Sequence, residues 1–171
     1  MITVCFHGVE STGKSVLAAM LSADIGCPWV PEYGREYCEA NGTDVTMADL
    51  LAIAEGQARS YEAAAAQAPG LLILDTDQLM TAAWAQMLFG EVPPELMGYP
   101  KADRYLHFAP DVPWVDDGTR FFGSDTARAE FDRIARAVLA DAGIVPIKIA
   151  GDWQQREAAV RAALTDICAK A

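Results

Sequence analysis

The sequence predicts a three-layer α/β fold: a parallel sheet of five strands with helices on both faces. Three observations carry that expectation. Short apolar or β-branched runs alternate with longer segments of helical period along the chain. Glycine and proline punctuate the boundaries between them. The run Leu71, Leu72, Ile73, Leu74 shows no polar alternation, as expected of a parallel strand covered on both faces.

The first strand is expected over residues 2–6, apolar and partly β-branched, followed by a glycine turn and a helix over 14–23. A second short strand over 27–30 is bracketed by Gly26 and Pro31, and a helix over 34–40 follows it. Between 46 and 66, Met47, Leu50, Leu51, Ala54, Ala58 and Tyr61 recur at helical spacing, and Thr46 with Asp49 forms a capping-box variant at the start. Pro69 and Gly70 stop that helix before the third strand, LLILD. A helix over 78–89, a proline-containing connection through Pro100 and a strand over 104–108 come next. Residues 110–124 have no regular period and read as a long ordered loop, with a lid expected over about 110–128. Ser124 or Asp125 then caps a helix that turns Phe131, Ile134 and Val138 inward. A fifth strand over 145–149 leads to a last helix, capped by Asp152 with Gln155, that packs Trp153, Val160, Leu164 and Ile167 inward.

At 171 residues the chain suits one domain, 1–171. Its apolar stretches fall short of the roughly 20 residues that span a bilayer, and no basic n-region precedes residues 1–6. No membrane association is therefore expected, and the cytoplasm is the default compartment. The net charge of −11 argues against nucleic acid as a partner, and a homo-oligomer is left open. The four cysteines are scattered, without metal-site spacing, and are expected to be reduced and mostly buried.

The stretch HGVESTGKSV fits the phosphate-loop pattern, with Gly8, Gly13, Lys14 and Ser15 at the fixed positions. Backbone N–H groups from Gly8 through Glu10, Ser11, Thr12, Gly13 and on to Val16 would cradle phosphates at a helix N-terminus. Lys14 would lie on the β- and γ-phosphates of ATP, and Ser15 would bind Mg²⁺. Asp75, ending the buried strand, is the second metal partner, acting through water. Asp77 lies two residues on and in an extended chain points the same way, toward a substrate hydroxyl. Glu32 would accept the proton of an attacking hydroxyl or bind a sugar, and Arg35 would hold an anion or fix Glu32. Arg120 and Arg128 are the cations placed to fold over a triphosphate. Trp114 would stack on a flat ligand or serve as a lid hinge. His7 and His107 receive no role.

The segments GVESTGKSVL, EYGREY, ILDTDQ and PWVDDGTRFFGS, in this order, resemble the ribosylnicotinamide kinase domains of bacterial NAD-biosynthesis regulators. The resemblance runs from Gly8 to the last helix. It implies a phosphate-loop fold of the nucleoside and nucleotide kinase type. The implied activity is ATP-dependent phosphorylation of the 5′-hydroxyl of nicotinamide riboside, a small-molecule nucleoside, with Mg²⁺. It also assigns Tyr33, Trp114 and Asp117 to substrate binding, beside Glu32, Arg35, Asp75 and Asp77. Two positions depart from it: Pro31 stands where those domains carry Trp, and Ala63 where they carry Tyr. Trp29 and Tyr61 are near in sequence, and the acceptor base stays open. The alternatives are a kinase for another nucleoside or nucleotide, thymidylate-kinase-like, and a non-kinase AAA-like regulatory ATPase.

Overall fold

The computed structural model describes residues 1–114 and 123–170. Five strands are present, β1 (Ile2–His7), β2 (Trp29–Val30), β3 (Leu71–Asp75), β4 (Arg104–Phe108) and β5 (Ile147–Ile149). They form one sheet in the order β2-β3-β1-β4-β5, with every neighbouring pair parallel. Parallel neighbours need crossovers, and helices supply them. In chain order these are α1 (Lys14–Ile25), α2 (Tyr33–Asn41), α3 (Met47–Ala65), α4 (Gln78–Phe89), α5 (Pro94–Gly98), α6 (Asp125–Asp141) and α7 (Trp153–Ala169). The short α5, started by Pro94, lies within the connection expected to be irregular. Among the described residues no helix is long and apolar enough to cross a membrane.

Strand alternation splits the core into two layers. Val4, Phe6, Ile73, Leu106, Phe108 and Ile149 face α1 and α7 and pack on Leu17, Leu21, Val160 and Leu164. Cys5, Leu72, Leu74 and Tyr105 face the other way, onto α3, α4 and α6. The expected inward residues Phe131, Ile134 and Val138 are buried there. Trp153 is the exception: it is 41% exposed rather than packed inward. Of the cysteines, Cys5 alone is fully buried; Cys27 and Cys38 are half-buried and Cys168 is exposed, so mostly buried thiols are not what the fold provides.

Caps set the helix starts as their residue types require. Thr46 and Asp49 close a reciprocal capping box on α3, and Asp152 and Gln155 do the same on α7. Ser124 caps α6 by accepting from the Ala127 N–H. In β1 and β4, His7 and His107 lie in register, their Nδ1 atoms 3.3 Å apart. His107 reaches Asp132 at 2.9 Å, and Arg136 donates to the other oxygen of that carboxylate. Burial holds the His7 imidazole well below its usual range, so it is neutral.

One mid-helix glycine positions the edge of the site. Gly56 of α3 carries the Tyr33 ring against its backbone, where an added methyl would sit 2.0 Å from a ring carbon. In an open helix, Gly56→Ala would gain about 1 kcal/mol of propensity. Here the overlap should cost about 1–3 kcal/mol and reverse the sign. Urea denaturation is expected to give a lower midpoint for this variant; a higher one would mean that Tyr33 moves aside freely.

Candidate active site

The phosphate loop occupies the C-terminal end of β1, where β3 and β4 flank it on either side and the strand order reverses, the place where open α/β sheets bind ligands. Its conformation depends on residues that tolerate positive φ: Gly8 at 126°, Ser11 at 61° and Gly13 at 86°. A methyl on Gly8 would meet the Phe108 carbonyl oxygen at 2.5 Å, so only glycine lets the loop cross β4. Thr12 Oγ1 donates to the Val9 carbonyl at 2.9 Å, and Lys14 Nζ donates to the same oxygen at 2.7 Å. The ammonium is thereby aimed along the loop, almost wholly buried.

Arg156 of α7, 1% exposed, holds this loop from behind. Its guanidinium donates to the carbonyls of Thr12 (3.2 Å), Ala109 (2.9 Å) and Gly151 (2.7 Å) and pairs with Asp111. The Asp111 carboxylate also accepts from the Gly151 N–H at 2.8 Å.

Three carboxylates predicted for the site take different places. Asp75, 1% exposed, ends β3 opposite Phe6 and accepts from the Ser15 hydroxyl, while its Oδ1 is buried without a partner among the described residues. Burial raises its carboxyl above the usual range, against Lys14, the Ser15 hydrogen bond and Arg35. Glu32 stands at the N-cap of α2 but makes no capping bond, which leaves its carboxylate for the cavity. Burial pushes it up to about 7; Asp75 and Glu10 add repulsion, and Lys14 and Arg35 oppose them.

Asp77 does not join them. Thr76 adopts φ 68°, a left-handed conformation that is an outlier for a β-branched residue, and the strand alternation expected to carry Asp77 toward the substrate is broken there. Asp77 instead caps α4, accepting from the Leu79 N–H at 3.0 Å with one oxygen and from the Tyr105 hydroxyl with the other. Both oxygens are engaged in structure, away from the phosphate loop.

Beside the loop lies a cavity of about 380 Å³. Loop residues Gly8, Glu10–Val16, and Glu32 and Arg35 form its polar end. Leu50, Ile53, Met80 and Trp84 form an apolar wall, with Thr81 beside them. Trp84 backs onto Phe131 of α6, ring centroids 4.5 Å apart. Gln57 of α3 fixes the approach of Glu32: its Oε1 accepts from the Tyr33 N–H at 2.7 Å and its Nε2 donates to the Pro31 carbonyl at 3.3 Å. The turn holding Glu32 is clamped from both sides.

Gln57 and Trp84 were not legible as site residues, because helical periodicity marks a face and not the cavity that the face borders. Tyr33, expected to touch substrate, turns its ring onto Gly56 and is not in the cavity lining. Trp114 packs on Gly123 and donates to the Glu10 carboxylate at 3.3 Å. Arg128 donates to the Val112 carbonyl at 2.9 Å, while its Nε and Nη2 are buried without partners among the described residues. Asp117 and Arg120 lie outside the described residues. Among the described residues no group of three or more His, Cys, Asp or Glu could hold a metal alone. The Ser15 hydroxyl and the orphaned Asp75 oxygen nevertheless fit Mg²⁺, which takes one or two protein oxygens and completes its shell with phosphate and water.

Sheet order, loop and cavity define a phosphate-loop domain of the nucleoside-kinase type. Residues 3–156 match a family model described as an AAA domain, and the chain belongs to that family. It is 29% identical over 154 residues to the trifunctional NAD biosynthesis/regulator protein NadR of Escherichia coli, covering 86% of this chain and 38% of that protein. The chain thus spans less than two-fifths of that curated relative. The crystal structure of a NadR protein in complex with NR superposes with a TM-score of 0.81 at 25% identity, over 96% of this chain and 51% of that one. Deoxyadenosine kinase from M. mycoides shares the fold, with a TM-score of 0.65 at 12% identity, covering 96% of this chain and all of that one.

The raised Glu32 carboxyl has a consequence for stability. Its folded value near 7 exceeds the unfolded value of about 4.3, so the folded chain binds this proton more tightly. That contribution is complete below the unfolded value and is lost as pH rises through the folded one. Glu32→Gln, with no charge to bury, should therefore stabilise the protein by roughly 1–2 kcal/mol at about pH 8 and much less near pH 5. Thermal unfolding at the two pH values checks this; an equal gain at both would contradict it.

Proposed function

We propose that the domain is an ATP-dependent kinase that phosphorylates the 5′-hydroxyl of nicotinamide riboside. The observation that carries this reading is Glu32: a carboxyl titrating near neutrality, between the phosphate loop with Lys14 and a cavity sized for a nucleoside. In the proposed reaction the 5′-oxygen attacks the γ-phosphorus and the bond from that phosphorus to the β–γ bridging oxygen breaks. ADP leaves, and the hydroxyl proton passes to Glu32. Lys14 lies on the β- and γ-phosphates, and Arg128, whose Nε and Nη2 have no partner among the described residues, is the candidate to meet charge on the transferred group together with Arg120. Mg²⁺ held by Ser15 and Asp75 would neutralise charge on the β- and γ-oxygens.

The acceptor base follows from the apolar end. Gln57 spends its Oε1 and one Nε2 hydrogen on the turn of Glu32, which leaves one amide N–H for the edge of a ligand in the cavity it lines. Trp84 offers a flat aromatic face to a ring that is itself a cation, and Glu32, Glu10 and Asp75 add negative potential. These features suit a pyridinium riboside, and Trp84 takes the part that Pro31 and Ala63 cannot. The relative captured with NR supports the same substrate. A regulatory ATPase, the alternative within an AAA-domain family, would have no use for a nucleoside-sized cavity beside Glu32.

ADP release should be measured with nicotinamide riboside, thymidine, other nucleosides, nucleoside monophosphates and no acceptor. Turnover is expected to depend on nicotinamide riboside; ATP consumption indifferent to every acceptor would favour the regulatory ATPase. Glu32→Gln should lower kcat by about 10²–10⁴. Trp84→Ala should raise KM for the nucleoside about tenfold while leaving KM for ATP unchanged.

A further inference from the structure

A row of buried polar side chains runs from the sheet into α6, and the proposed reaction uses none of them. His7 is the last residue of β1, directly before Gly8 of the phosphate loop, and its Nδ1 lies 3.3 Å from Nδ1 of His107 in β4. His107 Nε2 meets Asp132 of α6 at 2.9 Å, and Arg136, one turn on, donates to the second oxygen of that carboxylate at 2.8 Å. Arg128 lies one turn the other way on the same face of α6. It bonds the Val112 carbonyl beyond the end of β4, so it stands on the rim side of Asp132. His7, His107, Asp132 and Arg128 are all buried.

The protons on this row follow from its partners. Burial works against a charge on Asp132, but the bonds from His107 and Arg136 prevail and hold its carboxyl below the usual range. An ionised carboxylate only accepts, so His107 donates from Nε2. The hydrogen between the two Nδ1 atoms then belongs on His7. That leaves its Nε2, unpartnered among the described residues, a bare lone pair instead of an N–H without an acceptor. His7 thereby fixes the tautomer that points His107 at the helix. Phe131, Ile134 and Val138 of α6 pack into the apolar layer shared with α4, and such packing is non-directional. A directional bond is what fixes the position of the helix along its axis.

We propose that His107 is a positioning residue: through Asp132 it locks α6 at the axial position that brings Arg128 to the phosphates. The inference rests on the part of the proposed function that gives the phosphates to Arg128, and not on the identity of the acceptor. Loss of the bond frees α6 to shift, and a displacement of about 1 Å is enough to cost about 10²-fold in turnover.

The test is a double-mutant cycle of His107→Leu with Arg128→Ala, read by calorimetric titration of the full chain with inorganic tripolyphosphate and Mg²⁺ and by acceptor-dependent ADP release. Each single substitution is expected to weaken tripolyphosphate about tenfold, and the double variant to lose no more than Arg128→Ala alone. His107→Gln, whose amide can still donate to Asp132, should restore most of the loss; His107→Asn, whose shorter amide faces His7 instead, should not. Where His107→Leu does not fold, these two variants carry the same comparison. Losses that add in the double variant would overturn the proposal, because His107 would then act on the fold at large. So would normal tripolyphosphate binding in His107→Leu beside a loss in Arg128→Ala, which would leave Arg128 its role. No loss in Arg128→Ala would withdraw the phosphates from Arg128 and take the proposal with it. A chain that shows the expected cycle yet phosphorylates no nucleoside would keep the proposal and sink the kinase reading.

Discussion

The guanidinium of Arg156 is the interaction on which the rest of the site depends. Three loops leave the same rim of the sheet, after β1, β4 and β5, and none has a strand ladder to hold it there. Arg156 takes one carbonyl from each, at Thr12, Ala109 and Gly151, and closes the set with the Asp111 carboxylate. A buried cation is costly, and burial does lower its affinity for the proton, but three fixed acceptors and a counter-charge offset that cost. The five donors of the planar fork make the arrangement possible: three carbonyls and a carboxylate are four partners, one more than the three N–H groups of an ammonium could serve. The phosphate loop is thus fixed by the last helix, more than 140 residues away in sequence.

How far the sequence discloses this depends on what kind of signal each residue leaves. Strand β3, helix α4 and strand β4 are legible to the residue or nearly so, because apolar runs, Pro69-Gly70 and the proline-containing connection through Pro100 separate them. The phosphate loop is legible because glycine spacing encodes backbone shape directly. Asp77 misleads: one left-handed residue, Thr76, reverses the direction that alternation assigns, and nothing in the residue type announces it. Arg156, Gln57 and Trp84 are invisible for a different reason. Each acts across the fold, and helical spacing says which face a residue shares, not which loop or cavity that face meets. Trp153 shows the limit of the same rule, since the inward face of α7 passes beyond the covered sheet at its first turn.

The electrostatics are built from opposition. Glu32 and Asp75 are half-buried and buried carboxyls that repel each other, and Lys14 and Arg35 hold them at usable values. Such a cluster is a local loss of stability, of the kind that collects where groups change charge during a reaction. The capping boxes and the two core layers supply the stability that it does not.

Trp84 and Phe131 join the apolar wall of the cavity to α6, and Arg128 lies on that helix one turn before Phe131. The wall is therefore not free to diverge by itself. A lineage that enlarged or shrank residue 84 to admit a different base would have to change residue 131 in step, or else tilt the helix that presents Arg128. On the proposed reading, in which this wall meets the acceptor and Arg128 the phosphates, the two would be inherited together, and a history of substrate change in such domains would be written as paired substitutions between α4 and α6.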